Sequence, residues 1–282
     1  MKPVTAIILA VAACLVGVAV GFRLGQGTAP AAAEASAGKP VAAAAPATPA
    51  PAAPVAKPAP APAAPAETPA GPAPAGIDFK GSPAVGDPSK AKVIVFEFSD
   101  FQCPVCKRAA EELHPLLGSL AGDSEALVVF KENPLEMHKN AKPAALAAHA
   151  AHLQGKFWAM HDKLFELNHL LGDDGTYSGI AKGLGLDLAK FDADRKRADV
   201  EKRVMAEAKL AADLDARGTP SYFVNGKKQV GWGSAMGLKS MVDAEKREVE
   251  KLMAQGKSRD EALRARIEQN VENKALAAQL MP

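Results

Sequence analysis

The chain has 282 residues with Lys+Arg 34 against Asp+Glu 32, and a net charge of +2 leaves neither an electrostatic footprint for nucleic acid nor an acidic tail. Its 3 cysteines are too few for a disulfide framework or a four-cysteine zinc site, so the fold rests on a hydrophobic core.

Residues 4–22 carry no charge and follow Lys2. At ~1.5 Å per residue such a run crosses a hydrocarbon core of about 30 Å. Residues 1–27 therefore read as an N-terminal signal or transmembrane anchor in the inner membrane, with the rest of the chain on the periplasmic, extracytoplasmic face. The apolar run continues past the possible Ala cleavage sites, which favours an uncleaved anchor. A lipoprotein signal ending in Val11-Ala12-Ala13-Cys14 and a cleaved signal peptide are the alternatives, and both also export the chain. Residues 28–76 are mostly Ala and Pro without an aromatic, Leu or Ile, too little apolar surface to offset the entropy of ordering. They read as a disordered linker, biased to polyproline II, that spaces a domain from the membrane.

Residues 77–282 form the globular part. Lys92 to Phe98 (KVIVFEF) is a buried strand between Pro88 and Ser99-Asp100, and a helix follows from Cys103 toward Leu117. Ala126 to Phe130 is a second buried strand, ended by Asn133-Pro134. From Lys142 to Arg217 the chain is Ala-rich with helical spacing, broken at Gly172-Asp173-Asp174-Gly175, Gly183 and Gly185, and predicts a helical insertion over about 138–217. Gly218-Thr219-Pro220 then opens Ser221 to Val224, and Asn225-Gly226 turns it into a second arm at Lys228-Gln229-Val230, a strong hairpin signal. A helix is expected from about Ala235 to Met253, and Ser258-Arg259-Asp260-Glu261 has the spacing of a capping box opening a last helix over about 258–280. Strand, helix, strand, helical block, hairpin and helix make an α/β layer architecture.

Cys103-Pro104-Val105-Cys106 falls where the first buried strand turns into a helix. A thiolate there faces unpaired backbone N–H groups and the positive end of the helix dipole, which lowers a thiol from ~8.5 to between ~3.5 and 7.5. Cys103, the outer sulfur, is the expected nucleophile. The two intervening residues allow a reversible disulfide with Cys106, and Pro104 at the start of the helix sacrifices no hydrogen bond. Half a zinc site completed by His149 and His152, or two inert thiols, are the other readings of the pair. Glu97 stands six residues before Cys103 and shares a strand face with Val93 and Val95. Burial there would raise its pKa and make it a proton acceptor for Cys106; a strand-end acid turned to solvent is the alternative. His149 and His152 read as packing or surface residues, Phe157, Trp158, Leu164 and Phe165 as insertion core, and His138 has no partner that the sequence names.

Phe98-Ser99-Asp100-Phe101-Gln102-Cys103-Pro104-Val105-Cys106, followed by Gly218-Thr219-Pro220-Ser221-Tyr222-Phe223-Val224-Asn225-Gly226, resembles the DsbA-type thiol–disulfide oxidoreductases of the thioredoxin superfamily. Gln154 to Asp162 is similar to the start of that family's helical insertion, and the likeness covers roughly residues 77–253. It implies a thioredoxin-like fold with an inserted helical domain. It also implies that Pro220 is a cis-proline beside the cysteines, and that Thr219 offers its backbone to an extended substrate strand. In this family Pro104 and Val105 would tune the potential, and an acid often stands at the position of Glu97. The resemblance implies an enzyme with no cofactor beyond the Cys103–Cys106 disulfide, acting on exported polypeptides and served by a membrane or periplasmic redox partner. An oxidase is the favoured direction; an isomerase or reductase, or a non-redox peptide-binding module on the same fold, are the alternatives.

Overall fold

The computed structural model describes residues 77–281. The anchor expected over 1–27 and the linker expected over 28–76 lie outside the described residues. Among the described residues no helix is long and apolar enough to cross a membrane.

A hairpin of β1 (Ile77–Phe79) and β2 (Ser82–Val85) leads to β3 (Val93–Ser99), α1 (Pro104–Leu113), a 3-10 turn (His114–Leu116), α2 (Leu117–Gly122) and β4 (Ala126–Glu132). The helical block expected over 138–217 holds α3 (Ala141–His152), α4 (Phe157–Glu166), a 3-10 turn (Asn168–Leu170), α5 (Asp174–Gly183), α6 (Leu188–Asp194) and α7 (Ala198–Asp213). The hairpin of β5 (Ser221–Val224) and β6 (Lys227–Val230) follows, then α8 (Ala235–Ala254), α9 (Arg259–Asn270) and α10 (Lys274–Gln279). The strands form one sheet in the order β1-β2-β4-β3-β5-β6, with β3 and β4 parallel at its centre and their neighbours antiparallel.

Strand alternation divides the core. Val93, Val95 and, on β4, Val128 and Phe130 face a cluster shared with Leu113 of α1, Met160 and Leu164 of α4, and Leu238 and Val242 of α8. Ile94, Phe96 and Phe98 face the opposite side, against Leu210 of α7, Val249 of α8, and Leu263 and Ile267 of α9. β3 is buried along its whole length because helices cover both faces of the sheet.

Three expectations need correction. The helix expected to run from Cys103 toward Leu117 stops at Leu113, because Pro115 has no N–H to continue the ladder; the chain takes a 3-10 turn and restarts as α2. The single last helix is two. The expected capping box of Ser258 and Glu261 opens α9, but Val271 is extended and Asn273 caps a new start for α10. That break seats α9 on the hairpin tip, where Asn270 Nδ2 donates to Asn225 O at 2.9 Å. The sequence gives no sign of the β1–β2 hairpin, since its strands are short and β2 contains Pro83; pairing of β2 with the buried β4 makes it a strand. At the β5–β6 turn Asn225 (φ 44) and Gly226 (φ 82) both take positive φ, the two-residue geometry that Asn-Gly favours.

One buried carboxylate ties the insertion to the sheet. Glu207 of α7 accepts from Ser82 Oγ at 2.7 Å, Lys131 Nζ at 3.0 Å and the backbone N–H of Glu132 at 2.9 Å.

Candidate active site

The parallel strand β3 delivers the chain to a tight turn at Asp100–Gln102, and α1 begins immediately after it. Cys103 is the N-cap residue, in extended conformation, with Pro104 at the first helical position, so Cys106 falls within the first turn. Both cysteines are free thiols. Cys106 is fully buried and Cys103 is 6 % exposed, so the expectation of an accessible outer thiol holds only relative to its partner. Thr219 and the insertion close over it: the Cys103 thiol donates to Thr219 O at 3.5 Å, and Asn168 Nδ2 donates to Phe101 O at 2.6 Å and Cys103 O at 3.4 Å.

The two thiols are driven apart. Cys103 is held well below the ordinary thiol range, chiefly by a hydrogen bond from Cys106, with the Thr219 side chain and the backbone N–H groups of Cys106 and Val105 adding to it against burial. Burial pushes the Cys106 thiol far up, and the bond and charge of Cys103 push it further. Val105 is half-buried and Pro104 exposed at the mouth of the site.

The Thr219–Pro220 peptide bond is cis, and Pro220 is buried at the start of β5. The Ser221 hydroxyl donates to Gly218 O at 2.6 Å and Gly231 N–H to Pro220 O at 2.8 Å, which fix the loop opposite the cysteines. Exposed Val230 lies against this loop, its Cγ1 3.4 Å from where a Cβ on Gly218 would be, and exposed Leu170 ends the turn that carries Asn168.

Glu97 is buried on the Val93 and Val95 face of β3, 5 % exposed, and accepts from Tyr222 Oη at 3.4 Å. Burial raises its carboxyl from the ordinary 4.5 to about 7, against the lowering influence of Tyr222, His114 and Ser99. Burial, and then the charges of Glu97 and Cys106, push the Tyr222 hydroxyl up. Ser99 Oγ, on the same strand face, is buried without a bonding partner among the described residues and faces both groups.

Several residues here carried no sequence signal. Asp100 accepts from the Gln102 N–H at 2.7 Å and the Leu135 N–H at 2.9 Å, and lies 2.7 Å from His138 Nδ1; that is the partner the sequence could not name for His138. Gln102 Oε1 accepts from Asn140 N–H at 2.7 Å, so the turn before Cys103 is pinned from the insertion. His149 lies 3.8 Å from Glu207 of α7 and His152 3.0 Å from Asp78 of β1, so both face acidic groups of the insertion and the sheet edge rather than the cysteines. His114, His161 and Asp162 also come together, a single Asp162 oxygen lying 2.8 Å and 2.9 Å from the two Nδ1 atoms. Those nitrogens are thus engaged in hydrogen bonds to one carboxylate.

Residues 79–244 match the family described as Thioredoxin. The chain is 30% identical to a thioredoxin-like oxidoreductase from Silicibacter pomeroyi DSS-3, with a TM-score of 0.53 over 60% of this chain and 94% of that one. BdbD from Bacillus subtilis shares the fold, with a TM-score of 0.52, 23% identity, and coverage of 62% of this chain and 98% of that one. A Na(+)/H(+) antiporter NhaA 1 of Mycolicibacterium vanbaalenii is 35% identical over 158 residues, which are 54% of this chain. The chain spans only 25% of that antiporter's length.

Proposed function

The chain belongs to the thioredoxin family and has a DsbA-like fold, and from that premise we propose that it is an extracytoplasmic thiol–disulfide oxidoreductase, acting on exported polypeptides and most readily as an oxidase. One observation carries the reading: a low-pKa thiol at a helix N-terminus stands against Thr219 and the cis Pro220, with a second, fully buried thiol one turn behind it.

In the oxidising direction a substrate thiolate attacks Cys103 Sγ of the Cys103–Cys106 disulfide. The mixed disulfide forms on Cys103 and Cys106 leaves as a thiolate. A second substrate thiolate then attacks the substrate sulfur, a disulfide forms in the substrate, and Cys103 departs as the thiolate that its site stabilises. A stabilised Cys103 thiolate is a good leaving group, which favours oxidation of substrates over their reduction. Pro104 and Val105 supply no side-chain donor to that thiolate, so its stabilisation comes from Cys106, Thr219 and the backbone. Glu97, ionising near neutrality, is the proposed proton acceptor and donor for Cys106. Thr219 is proposed to pair with the substrate backbone, and exposed Val230 and Leu170 to receive its apolar side chains. The extracytoplasmic location, the inner-membrane anchor through residues 4–22 and a membrane or periplasmic redox partner remain part of the proposal and follow from the N-terminal sequence.

The test is insulin reduction by the full chain and its Cys103→Ala variant, with thiolate absorbance followed through a pH titration. Activity lost in the variant, and a thiolate transition well below ~8.5, are expected. Equal activity of the two proteins would leave a non-redox peptide-binding module as the reading of this fold.

A further inference from the structure

Every turn of this chemistry changes the protonation of Cys106. As it leaves the disulfide as a thiolate it needs a proton, and before it re-forms the disulfide it must give one up; yet its exposure is 0%. Glu97 can serve it, but Glu97 is itself buried, so the proton needs a further station before it meets solvent.

Such a station lies on the far side of Glu97. A cavity of about 10 Å³ is walled by Glu97, Leu113, His114, Trp158 and His161. That is close to the smallest space able to hold one water. His114 Nε2 and Trp158 Nε1 are both buried without a hydrogen-bond partner among the described residues. The other ring nitrogen of His114, Nδ1, lies 2.8 Å from Asp162 Oδ1, and the Asp162 side chain is 38% exposed. An imidazole whose Nδ1–H donates to a carboxylate keeps Nε2 as a free acceptor. Burial pushes the Asp162 carboxyl up, but the bonds from His114 and His161 outweigh it and hold the group at about 2, so it stays an acceptor at any working pH. His114 occupies this elbow because Pro115 ends α1 there.

We propose that Cys106 exchanges its proton with solvent through Glu97, one water in this cavity, His114 and Asp162. The inference rests on the dithiol chemistry proposed above. When Cys106 is deprotonated its S–H bond breaks and an O–H bond forms on the Glu97 carboxylate, with the Ser99 and Tyr222 hydroxyls facing the gap. Glu97 passes a proton through the water to His114 Nε2, and the Nδ1 proton leaves by Asp162 to bulk water. No electrons move along this path; they stay with the sulfurs. Reprotonation of Cys106 runs the steps backward, so the imidazole returns to its starting tautomer over each oxidation and reduction cycle. The titratable groups facing His114 are Glu97 from β3 and Asp162 and His161 from α4; its cavity neighbours Ala110 and Leu113 of α1 and Leu117 of α2 are apolar. His114 is therefore a positioning and relay residue, in contact with neither sulfur.

The experiment uses the reduced full chain and dithiobis-nitrobenzoate, which releases one coloured thiolate when Cys103 attacks and a second when Cys106 closes the disulfide. His114→Gln keeps a donor for Asp162 but cannot pass a proton. Its first release is expected at the parent rate. Its second should be slowed about 10-fold near neutral pH, less than the ~10²–10⁴ of a direct general base because the group acts through others. The deficit should shrink as pH rises and hydroxide takes over. Asp162→Asn, at the exposed end, is expected to show the same selective loss and carries the test if His114→Gln fails to fold. A second release at the parent rate, or a deficit equal in both steps at every pH, overturns the relay. If the parent itself releases no thiolate through Cys103, the functional reading falls, and the relay with it.

Discussion

Glu97→Gln isolates the energetic cost of placing an acid in this core. The carboxyl rises from 4.5 to about 7, so the folded protein holds its proton more tightly than the unfolded chain does. The sign follows: below about 4.5 both states are protonated and nothing is lost, whereas above about 7 the folded state carries a charge in a buried site and stability has fallen. At ~1.4 kcal/mol for each pH unit of difference, the loss between those limits is about 3 kcal/mol. Gln is neutral at every pH and keeps an acceptor for Tyr222, but its amide adds a buried donor that costs ~1–3 kcal/mol wherever it finds no partner. That cost is the same at pH 4 and pH 8. The difference between the two pH values is therefore the clean quantity: the variant should gain about 3 kcal/mol relative to the parent on going from pH 4 to pH 8, or ~6–12 °C in Tm. Urea unfolding of both proteins at the two pH values measures it. The same variant should close the Cys106 disulfide ~10²- to 10⁴-fold more slowly. An equal stability difference at both pH values would refute the assignment of Glu97 as a buried group titrating near neutrality.

Two further outcomes follow from the fold. Glu207→Ala removes the carboxylate that pairs with Lys131 and leaves the Ser82 hydroxyl and the Glu132 N–H without their acceptor, and should cost about 3–5 kcal/mol. Burial raises the Glu207 carboxyl, but the nearby His149, the charge of Lys131 and the Ser82 hydroxyl hold it at about 2; its stabilisation is thus present above about 4.5 and lost as pH falls toward 2, so parent and variant should converge in acid unfolding over that window. Gly226→Ala puts a Cβ at φ +82, 2.8 Å from Val271 Cγ2 and 3.2 Å from Ile267 O, and should lower the unfolding free energy measured in urea by more than ~1 kcal/mol; a change within ~0.5 kcal/mol would mean that α9 does not hold the hairpin tip.

The parts of this protein written in the sequence are those set by local chemistry. The KVIVFEF run reads as a buried strand because β-branched and aromatic residues suit no other environment so well, and Asn225-Gly226 specifies its turn through positive φ at both residues. Pro104 and the cysteine spacing mark a helix start, and the pairing of that motif with Gly218-Thr219-Pro220 was legible as a site. Pro115, which the expected helix ran through, carries the chain break that positions His114. What the sequence could not show is which distant groups share a pocket. Whether Glu97 faces sulfur or solvent depends on α1 and the insertion covering its strand face. The partners of Asp100, the reach of Asn168 to the Cys103 carbonyl, and the meeting of His114 with Asp162 join residues 38, 65 and about 48 positions apart. The β1–β2 hairpin likewise exists only because β4 offers it an edge. Such contacts depend on how whole elements pack, and a thiol's pKa or a carboxyl's charge is decided there because burial and partner geometry, not residue type, set the free energy of the ionised form.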